Sequence, residues 1–151
     1  MSIAATRSAS ARILIVDDNN MGLSARRTIL EDLGYAVHTS TTPHDALEQC
    51  AKTVFDVVIT DYKMPRMNGV EFIRELRKQH PTTPVILISG FVDTLGFNEA
   101  TTGADAVIQK SANEVTHLIR TVARLLRKPA KKPVASATGS PKSQRGRTKT
   151  V

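Results

Sequence analysis

The sequence predicts an α/β protein with a doubly wound, parallel five-stranded sheet. Five short apolar runs alternate along the chain with segments of helical periodicity, which is the pattern of βα units on a parallel sheet. The runs are nearly continuous in Val, Ile and Leu, because strands covered by helices on both faces have no exposed side. At 151 residues, the chain is long enough for one such domain with a substantial core.

The predicted strands follow the apolar runs in chain order. They are Arg12–Val16, Tyr35–Thr39, Val54–Thr60, Val85–Ile88 and Asp105–Gln109. The third of these carries no charge except Asp56, near its start. Pro81 and Pro84 separate the fourth strand from the preceding helix, because proline cannot continue a helix. No apolar run approaches the roughly 20 residues of a membrane helix, so no membrane insertion is predicted.

A helix is predicted after each strand. The helices run from about Asn20 to Leu33, Pro43 to Lys52, Asn68 to Gln79, Asp93 to Thr101 and Ser111 to Arg127. Gly34 ends the first helix as a C-cap. Thr42 caps the second, and Pro43 occupies its first position. Gly103 stops the fourth, which has the weakest pattern. Apolar residues recur at helical spacing throughout the last helix.

Polar side chains close four of the apolar runs. Asp17 and Asp18 follow the first run, Asp61 the third, Ser89 the fourth and Lys110 the fifth. The carboxyl ends of parallel strands meet at one edge of the sheet, and doubly wound sheets bind their ligands there. We therefore expect these five side chains to share one pocket.

The composition of this pocket indicates phosphoryl chemistry assisted by a divalent metal. Two carboxylates about 4 Å apart repel by roughly 4 kcal/mol at an effective dielectric constant near 20, so a cation must lie among them. Mg²⁺ is typically bound by one or two carboxylates together with waters and phosphate oxygens. Lys110 adds a positive charge that suits an incoming phosphoryl group. One carboxylate would then act as the nucleophile.

The motifs around these residues resemble the receiver domain of bacterial response regulators, over about residues 11–127. The resemblance implies a flavodoxin-like (βα)5 fold with strand order 2-1-3-4-5. It rests on four segments in this order along the chain: Val16-Asp17-Asp18-Asn19, Asp61-Tyr62-Lys63-Met64-Pro65-Arg66-Met67-Asn68-Gly69, Ile88-Ser89-Gly90 and Lys110.

The resemblance also implies a role for each pocket residue. Asp61 would accept a phosphoryl group from the phosphohistidine of a sensor histidine kinase or phosphotransfer protein. Asp18 and Asp61 would coordinate Mg²⁺, Asp17 would hold it through water, and Lys63 would add its backbone carbonyl. Lys110 would pair with the phosphoryl oxygens.

The switch region resembles the family in part. Ser89 is similar to the family's switch hydroxyl, which moves to the phosphoryl group and shifts the loop before the fourth helix, while small Gly90 leaves room for the donor. Two positions depart from the pattern. Val107 stands where many receivers have Tyr or Phe, and Ser111 follows Lys110 where a cis proline is common. We therefore expect an intact phosphorylation site, no cis bond at this position and a modest switch signal.

The net charge of +7 lies entirely in the C-terminal tail. Residues 1–127 contain 14 Lys and Arg and 14 Asp and Glu, whereas residues 128–151 contain seven Lys and Arg and no acid. The tail is rich in Pro, Ser, Gly, Thr and Lys, so we predict that it is disordered, like residues 1–10. It has no aromatic residue or helix-turn-helix pattern, which argues against specific base recognition. Two roles are compatible with this tail: it keeps the protein soluble, or it binds polyanions weakly and without specificity.

The remaining features favour a cytoplasmic signalling protein. Residues 1–10 lack the apolar stretch of a secretory signal, and the single Cys50 excludes an internal disulfide and is expected to pack as a small hydrophobe. The four histidines show no metal-ligand spacing.

Three functions are compatible with the pocket. The first is a stand-alone response regulator, not an enzyme, that signals by phosphorylation-dependent binding of an unidentified protein through its fourth helix, fifth strand and fifth helix. The second is a receiver-like scaffold with little dependence on phosphorylation, which Val107 suggests. The third is a phosphohydrolase with a carboxylate nucleophile. That chemistry requires a second acid two residues after the nucleophile, where this chain has Lys63.

Overall fold

The computed structural model describes residues 10–127. The strands are β1 (Arg12–Val16), β2 (Ala36–Ser40), β3 (Val57–Asp61), β4 (Val85–Ser89) and β5 (Ala106–Gln109). The helices are α1 (Asn20–Asp32), α2 (Pro43–Lys52), α3 (Gly69–Gln79), α4 (Val92–Leu95), α5 (Glu99–Thr102) and α6 (Glu114–Arg127). Within residues 10–127, no helix has the length and apolar character needed to cross a membrane.

All strand pairs are parallel, and the sheet order is β2-β1-β3-β4-β5. The predicted fold class and strand order are therefore confirmed. The predicted disorder of the tail 128–151, and of residues 1–10 apart from Ser10, falls outside the described residues.

Alternate residues of each strand point into two separate cores. On one face, Ile13 packs in a cluster with Leu30 of α1 and Leu118 of α6. On the other face, Leu14 belongs to a cluster with Phe72 of α3. All five of these side chains are almost completely buried, and each such burial stabilises the fold by roughly 1.5–3 kcal/mol. The two cores hold the strands in a register that brings their carboxyl ends to one edge.

The third strand begins later than predicted. It starts at Val57 rather than Val54, because Asp56 uses its carboxylate to accept the backbone N–H of Arg12 at 2.8 Å. Val54 is largely exposed, while Phe55 turns into the core. The strand also extends one residue further, to Asp61 itself.

The predicted fourth helix is two short helices, so the prediction of one helix from Asp93 to Thr101 was wrong. Gly96 ends α4 in the left-handed region, with φ of 66°, a conformation that glycine adopts without steric cost. Asn98 then begins α5 through a reciprocal capping box with Thr101. The connection between β4 and β5 is consequently built from single turns.

The last helix begins at Glu114 and not at Ser111. The Ser111 hydroxyl accepts the backbone N–H of Asn113 at 3.2 Å, and the Ser111 carbonyl accepts that of Glu114 at 3.1 Å. These bonds hold residues 111–113 in a turn. As expected from Ser111 in place of proline, the described residues contain no cis peptide bond.

Candidate functional site

Three predicted carboxylates converge at the carboxyl edge of the sheet. Asp17, Asp18 and Asp61 each offer a carboxylate oxygen, and these oxygens lie within 4.8 Å of one another. This is the only such group of three potential metal ligands in the part of the chain that the structure describes. Asp17 and Asp61 are buried, and Asp18 is exposed.

Lys110 completes the cluster from the end of β5. Its Nζ lies 2.7 Å from Asp61 Oδ1, and its side chain is 41% exposed. That oxygen has this ion pair but no hydrogen bond of good geometry among the described residues. The Asp61 Oδ1 atom is itself buried, and the half-exposed Lys110 ammonium group is its ion-pair partner.

An open cleft of about 450 Å³ lies above the cluster. Its lining includes every predicted site residue except Ser89. Three further lining residues, Asn19, Met64 and Pro65, had no predicted role. The lining residues are Asp17, Asp18, Asn19, Asp61, Lys63, Met64, Pro65 and Lys110. The cleft is thus polar at its base and apolar along the loop that follows β3.

Backbone hydrogen bonds hold the strand ends at one level. The Tyr62 N–H donates to the Ile88 carbonyl at 2.9 Å, and the Lys110 N–H donates to the Ser89 carbonyl at 2.9 Å. The Asn19 side chain caps α1 by accepting the N–H groups of Met21 and Gly22. The loops that carry the acids and Lys110 therefore start from fixed positions.

Gly69 explains why the loop after Asp61 must contain glycine. A Cβ at this position would overlap the Asp61 carbonyl oxygen and would lie 2.8 Å from Leu87 Cδ1 and 3.0 Å from Tyr62 Cα. The Gly69 N–H donates to the Tyr62 carbonyl at 2.7 Å. The start of α3 thus packs directly against the end of β3 and fixes the backbone of Asp61.

Ser89 lies at the end of β4 but is not among the residues that line the cleft. Its Oγ accepts the backbone N–H of Phe91 at 2.9 Å, and the residue is buried. Phe91 packs edge-on against Tyr62, with ring centroids 6.2 Å apart, and Tyr62 packs similarly on Phe97 at 4.8 Å. Lys63 Nζ lies 6.0 Å from the Phe91 ring centroid. The hydroxyl is therefore linked to an aromatic cluster beside the site, which also packs on the same core as Val107.

Arg26 was not predicted from the sequence as a site residue. This arginine lies on the buried face of α1, in helical register with Leu23 and Leu30. Its Nη1 donates to Asp17 Oδ2 at 2.7 Å, and its Nε donates to Glu114 Oε2 at 2.9 Å. The sequence signal was a charged residue in an apolar stripe, which requires buried partners of opposite charge.

The electrostatics of the cluster differ from one group to the next. Burial raises the pKa of Asp61 above its ordinary value; Lys110 opposes this shift, and the neighbouring Asp17 carboxylate adds to it. For Arg26, burial acts to lower the pKa, but the Glu114 and Asp17 carboxylates outweigh burial and raise it. The ionised form of Asp61 is thus costly before a metal binds, whereas Arg26 keeps its charge.

Cys50 is remote from this chemistry. Burial raises the pKa of its thiol to about 11, and the side chain packs in the core that contains Phe72. A thiol with such a pKa is not ionised at neutral pH and is a poor nucleophile.

Comparison with known proteins identifies the family. The family of the response regulator receiver domain matches residues 13–132. This chain belongs to that family. Receiver domains bind Mg²⁺ at an acidic pocket and are phosphorylated by histidine kinases or phosphotransfer proteins of two-component systems.

Two solved receiver structures show how closely this receiver domain follows the family fold. The response regulator TrrA of Thermotoga maritima, in complex with Mg(2+)-BeF, has 29% sequence identity and a TM-score of 0.70, covering 77% of this chain and 99% of TrrA. The chemotaxis response regulator CheY4 of Vibrio cholerae has 31% identity and a TM-score of 0.67, covering 78% of this chain and all of CheY4.

Curated relatives are longer than this receiver domain. The transcriptional regulatory protein ZraR of Salmonella typhimurium is 33% identical over 79 residues, which are 52% of this chain and 18% of ZraR. A response regulator receiver protein of Anaeromyxobacter is 38% identical over 81 residues, 54% of this chain and 34% of the relative. The match thus spans about a third or less of the length of these relatives.

The cluster fits Mg²⁺ by the chemistry of its donors. Carboxylate oxygens are the ligands that Mg²⁺ prefers. The Asp18 carboxylate has no hydrogen bond or ion pair with any residue in the range 10–127, so it is free to bind a metal. Both Asp17 oxygens are already engaged, Oδ1 by the Asn19 N–H at 2.9 Å and Oδ2 by Arg26.

Proposed function

We propose that this receiver domain accepts a phosphoryl group on Asp61 from a histidine kinase or phosphotransfer protein and then changes its binding of a partner protein. The observation that carries this proposal is the pairing of buried Asp61 with half-exposed Lys110 at 2.7 Å, next to two further carboxylates. A buried pair without the acid cluster would be structural, and an acid cluster without the lysine would bind only a metal.

The transfer uses Asp61 as a nucleophile. A carboxylate oxygen attacks the phosphorus of the donor phosphohistidine, the P–N bond breaks, and the leaving imidazole takes a proton from water, which leaves an acyl phosphate on Asp61. Asp18 and Asp61, together with the Lys63 carbonyl, would hold Mg²⁺, which would supply charge neutralisation when bound. The engaged oxygens of Asp17 support its assignment to contact through water.

Lys110 changes partner during the transfer. Before transfer it offsets the charge of Asp61, and afterwards the phosphoryl oxygens offer it a stronger, charge-assisted contact. Its 41% exposure gives the side chain the freedom for this movement. Lys110 is thus the group that recognises the phosphorylated state from within the site.

The signal leaves the site through Ser89. When its hydroxyl turns to the phosphoryl group, the Phe91 N–H loses its acceptor and the loop before α4 is released. Phe91 and Phe97 both pack on Tyr62, so the released loop carries an aromatic contact with it. We assign the partner surface to α4, α5, β5 and α6, because α4 and α6 both contact the edge strand β5.

A Ser89→Ala variant is expected to accept the phosphoryl group but to respond less to it. Hydrogen exchange at residues 91–103, measured with and without phosphorylation, should change less than in the parent, in line with coupling energies of roughly 1–3 kcal/mol. Ser40→Ala is the matched control, because Ser40 is a buried strand-end serine whose Oγ accepts the Thr42 N–H at 3.3 Å. If phosphorylation changes hydrogen exchange equally in the parent and in Ser89→Ala, Ser89 is not part of the switch.

A scaffold with little phosphorylation dependence is the second candidate, favoured by Val107 in place of an aromatic residue. It differs from the first in one measurement, because its partner binding would not change on phosphorylation. Polyanion binding by the basic tail concerns residues outside the described range and stays a prediction.

Incubation of the full chain with acetyl phosphate, followed by intact mass measurement, tests the proposed function. We expect the mass of one phosphoryl group to be added in the presence of Mg²⁺ and little or none in chelator. An unchanged mass at high acetyl phosphate and Mg²⁺ would contradict the proposal.

A further inference from the structure

We propose that Arg26 sets the Mg²⁺ affinity of the site, as a fixed cation whose effect Glu114 moderates. This inference rests on the proposed function, because it assumes that the acid cluster binds Mg²⁺. It concerns a residue outside the motifs from which the site was predicted.

Arg26 is held at two points. Its Nη1 pairs with Asp17 Oδ2 at 2.7 Å and its Nε with Glu114 Oε2 at 2.9 Å. The side chains of Arg26, Asp17 and Glu114 are only 9%, 3% and 16% exposed. One buried and one partly buried charge-assisted bond fix the guanidinium group in one place.

Among residues 10–127, two cations are therefore paired with the acid cluster, one mobile and one fixed. Lys110 is 41% exposed and can leave Asp61 when another cation arrives. Arg26 cannot leave, and its charge remains next to Asp17 when Mg²⁺ enters. Repulsion between the Arg26 guanidinium group and Mg²⁺ is strong because burial limits screening by water and salt. Arg26 thus weakens metal binding while stabilising the metal-free cluster.

The orientation of Asp17 does not depend on Arg26 alone. Asp17 Oδ1 also accepts the Asn19 backbone N–H at 2.9 Å. A Cβ on Gly22 would lie 3.1 Å from Asp17 Oδ2, so glycine leaves the space that this carboxylate needs. Removal of Arg26 consequently takes away a positive charge more than it disorders a ligand.

Glu114 acts on the site through Arg26. It starts α6 and does not line the cleft, but its negative charge offsets part of the guanidinium charge. When Glu114 is neutralised, nothing offsets the Arg26 charge on that side, so the repulsion between Arg26 and the metal increases. The two substitutions should therefore change Mg²⁺ affinity in opposite directions, which a purely structural role for this ion pair does not predict.

Titration calorimetry of Mg²⁺ into the full chain, after removal of metal and without a phosphodonor, tests this inference. We expect Arg26→Met to bind Mg²⁺ about tenfold more tightly than the parent and Glu114→Gln to bind about threefold more weakly. Arg26→Lys, which keeps the charge, should stay within about threefold of the parent. Arg27→Met is the matched control and should stay within about twofold, because Arg27 is half-exposed and pairs with Glu31 on the surface of α1.

Two results would overturn the inference. One is a Mg²⁺ affinity of Arg26→Met that is equal to or weaker than that of the parent. The other is a Mg²⁺ affinity of Glu114→Gln that is equal to or tighter than that of the parent. If Arg26→Met does not fold, as a thermal melt would show, Glu114→Gln decides alone. No Mg²⁺ binding by the parent would overturn both this inference and the metal assignment of the proposed function. Binding by the parent with unchanged variants would overturn this inference only.

Discussion

A variant with asparagine in place of Asp61 is expected to take up no phosphoryl group and, without divalent metal, to be more stable than the parent. Loss of labelling follows because an amide is not a nucleophile for phosphorus at neutral pH. The gain in stability follows because burial makes the ionised carboxylate costly, and Asp17 adds repulsion. We expect the free energy of unfolding to rise by on the order of 1 kcal/mol in chelator, and added Mg²⁺ to reduce the difference.

The gain in stability should depend on pH. A carboxyl group whose pKa is raised in the folded protein binds more protons there than in the unfolded chain, so the parent loses stability as pH rises above the ordinary carboxyl pKa of about 3.9. Asp61→Asn lacks this loss. The difference between the two proteins should be small at the acidic end of the range and should grow toward neutral pH.

Asp56→Asn is the matched control for both effects. Asp56 lies just before the opposite end of the same strand, is exposed, and accepts the Arg12 N–H at 2.8 Å. Its replacement should leave labelling intact and should not raise the melting temperature. A melt in chelator that finds Asp61→Asn no more stable than the parent would count against a crowded acidic site.

Gly69→Ala is expected to cost about 3 kcal/mol of stability and to slow phosphorylation by roughly 10- to 100-fold. The added methyl group would overlap the Asp61 carbonyl and crowd Leu87 and Tyr62. Because two of these three contacts are with backbone, the strain cannot be relieved by a side-chain rotation. The end of β3 must move, and Asp61 moves with it.

Chemical denaturation and the rate of labelling by acetyl phosphate measure these two effects. Gly90→Ala is the control for stability, since a Cβ at Gly90 would meet no atom within 4 Å. It should change the free energy of unfolding by less than about 0.5 kcal/mol. A stable Gly69→Ala protein that is labelled at the parental rate would show that the contact between α3 and β3 does not position Asp61.

Much of the fold could be predicted because local signals agree with burial. The nearly continuous apolar runs predicted all five strands, and Thr42 with Pro43 predicted the start of α2 where the structure has it. The prediction was wrong where a side chain replaces a backbone partner or a glycine interrupts a helix. The Asp56 carboxylate accepts a backbone N–H and shortens β3, and Gly96 divides the predicted fourth helix.

The convergence of the strand-end residues could be predicted from the sequence, but their contacts could not. The strand-end rule brought Asp17, Asp18, Asp61 and Lys110 together, because it depends only on parallel strands of matched length. The orientation of the Ser89 hydroxyl depends on the loop that follows it, which no strand pattern describes. Ion-pair partners that are distant in sequence could not be predicted either: Glu114 lies 88 positions after Arg26.

The measurement that tests this account most directly is the location of the phosphoryl group. Borohydride reduces the acyl phosphate of an aspartate to an alcohol, so the modified residue becomes homoserine and can be found by peptide mapping. After labelling with Mg²⁺ and acetyl phosphate, we expect homoserine at position 61 and nowhere else. Homoserine at Asp17 or Asp18, or phosphate on a histidine, would contradict it.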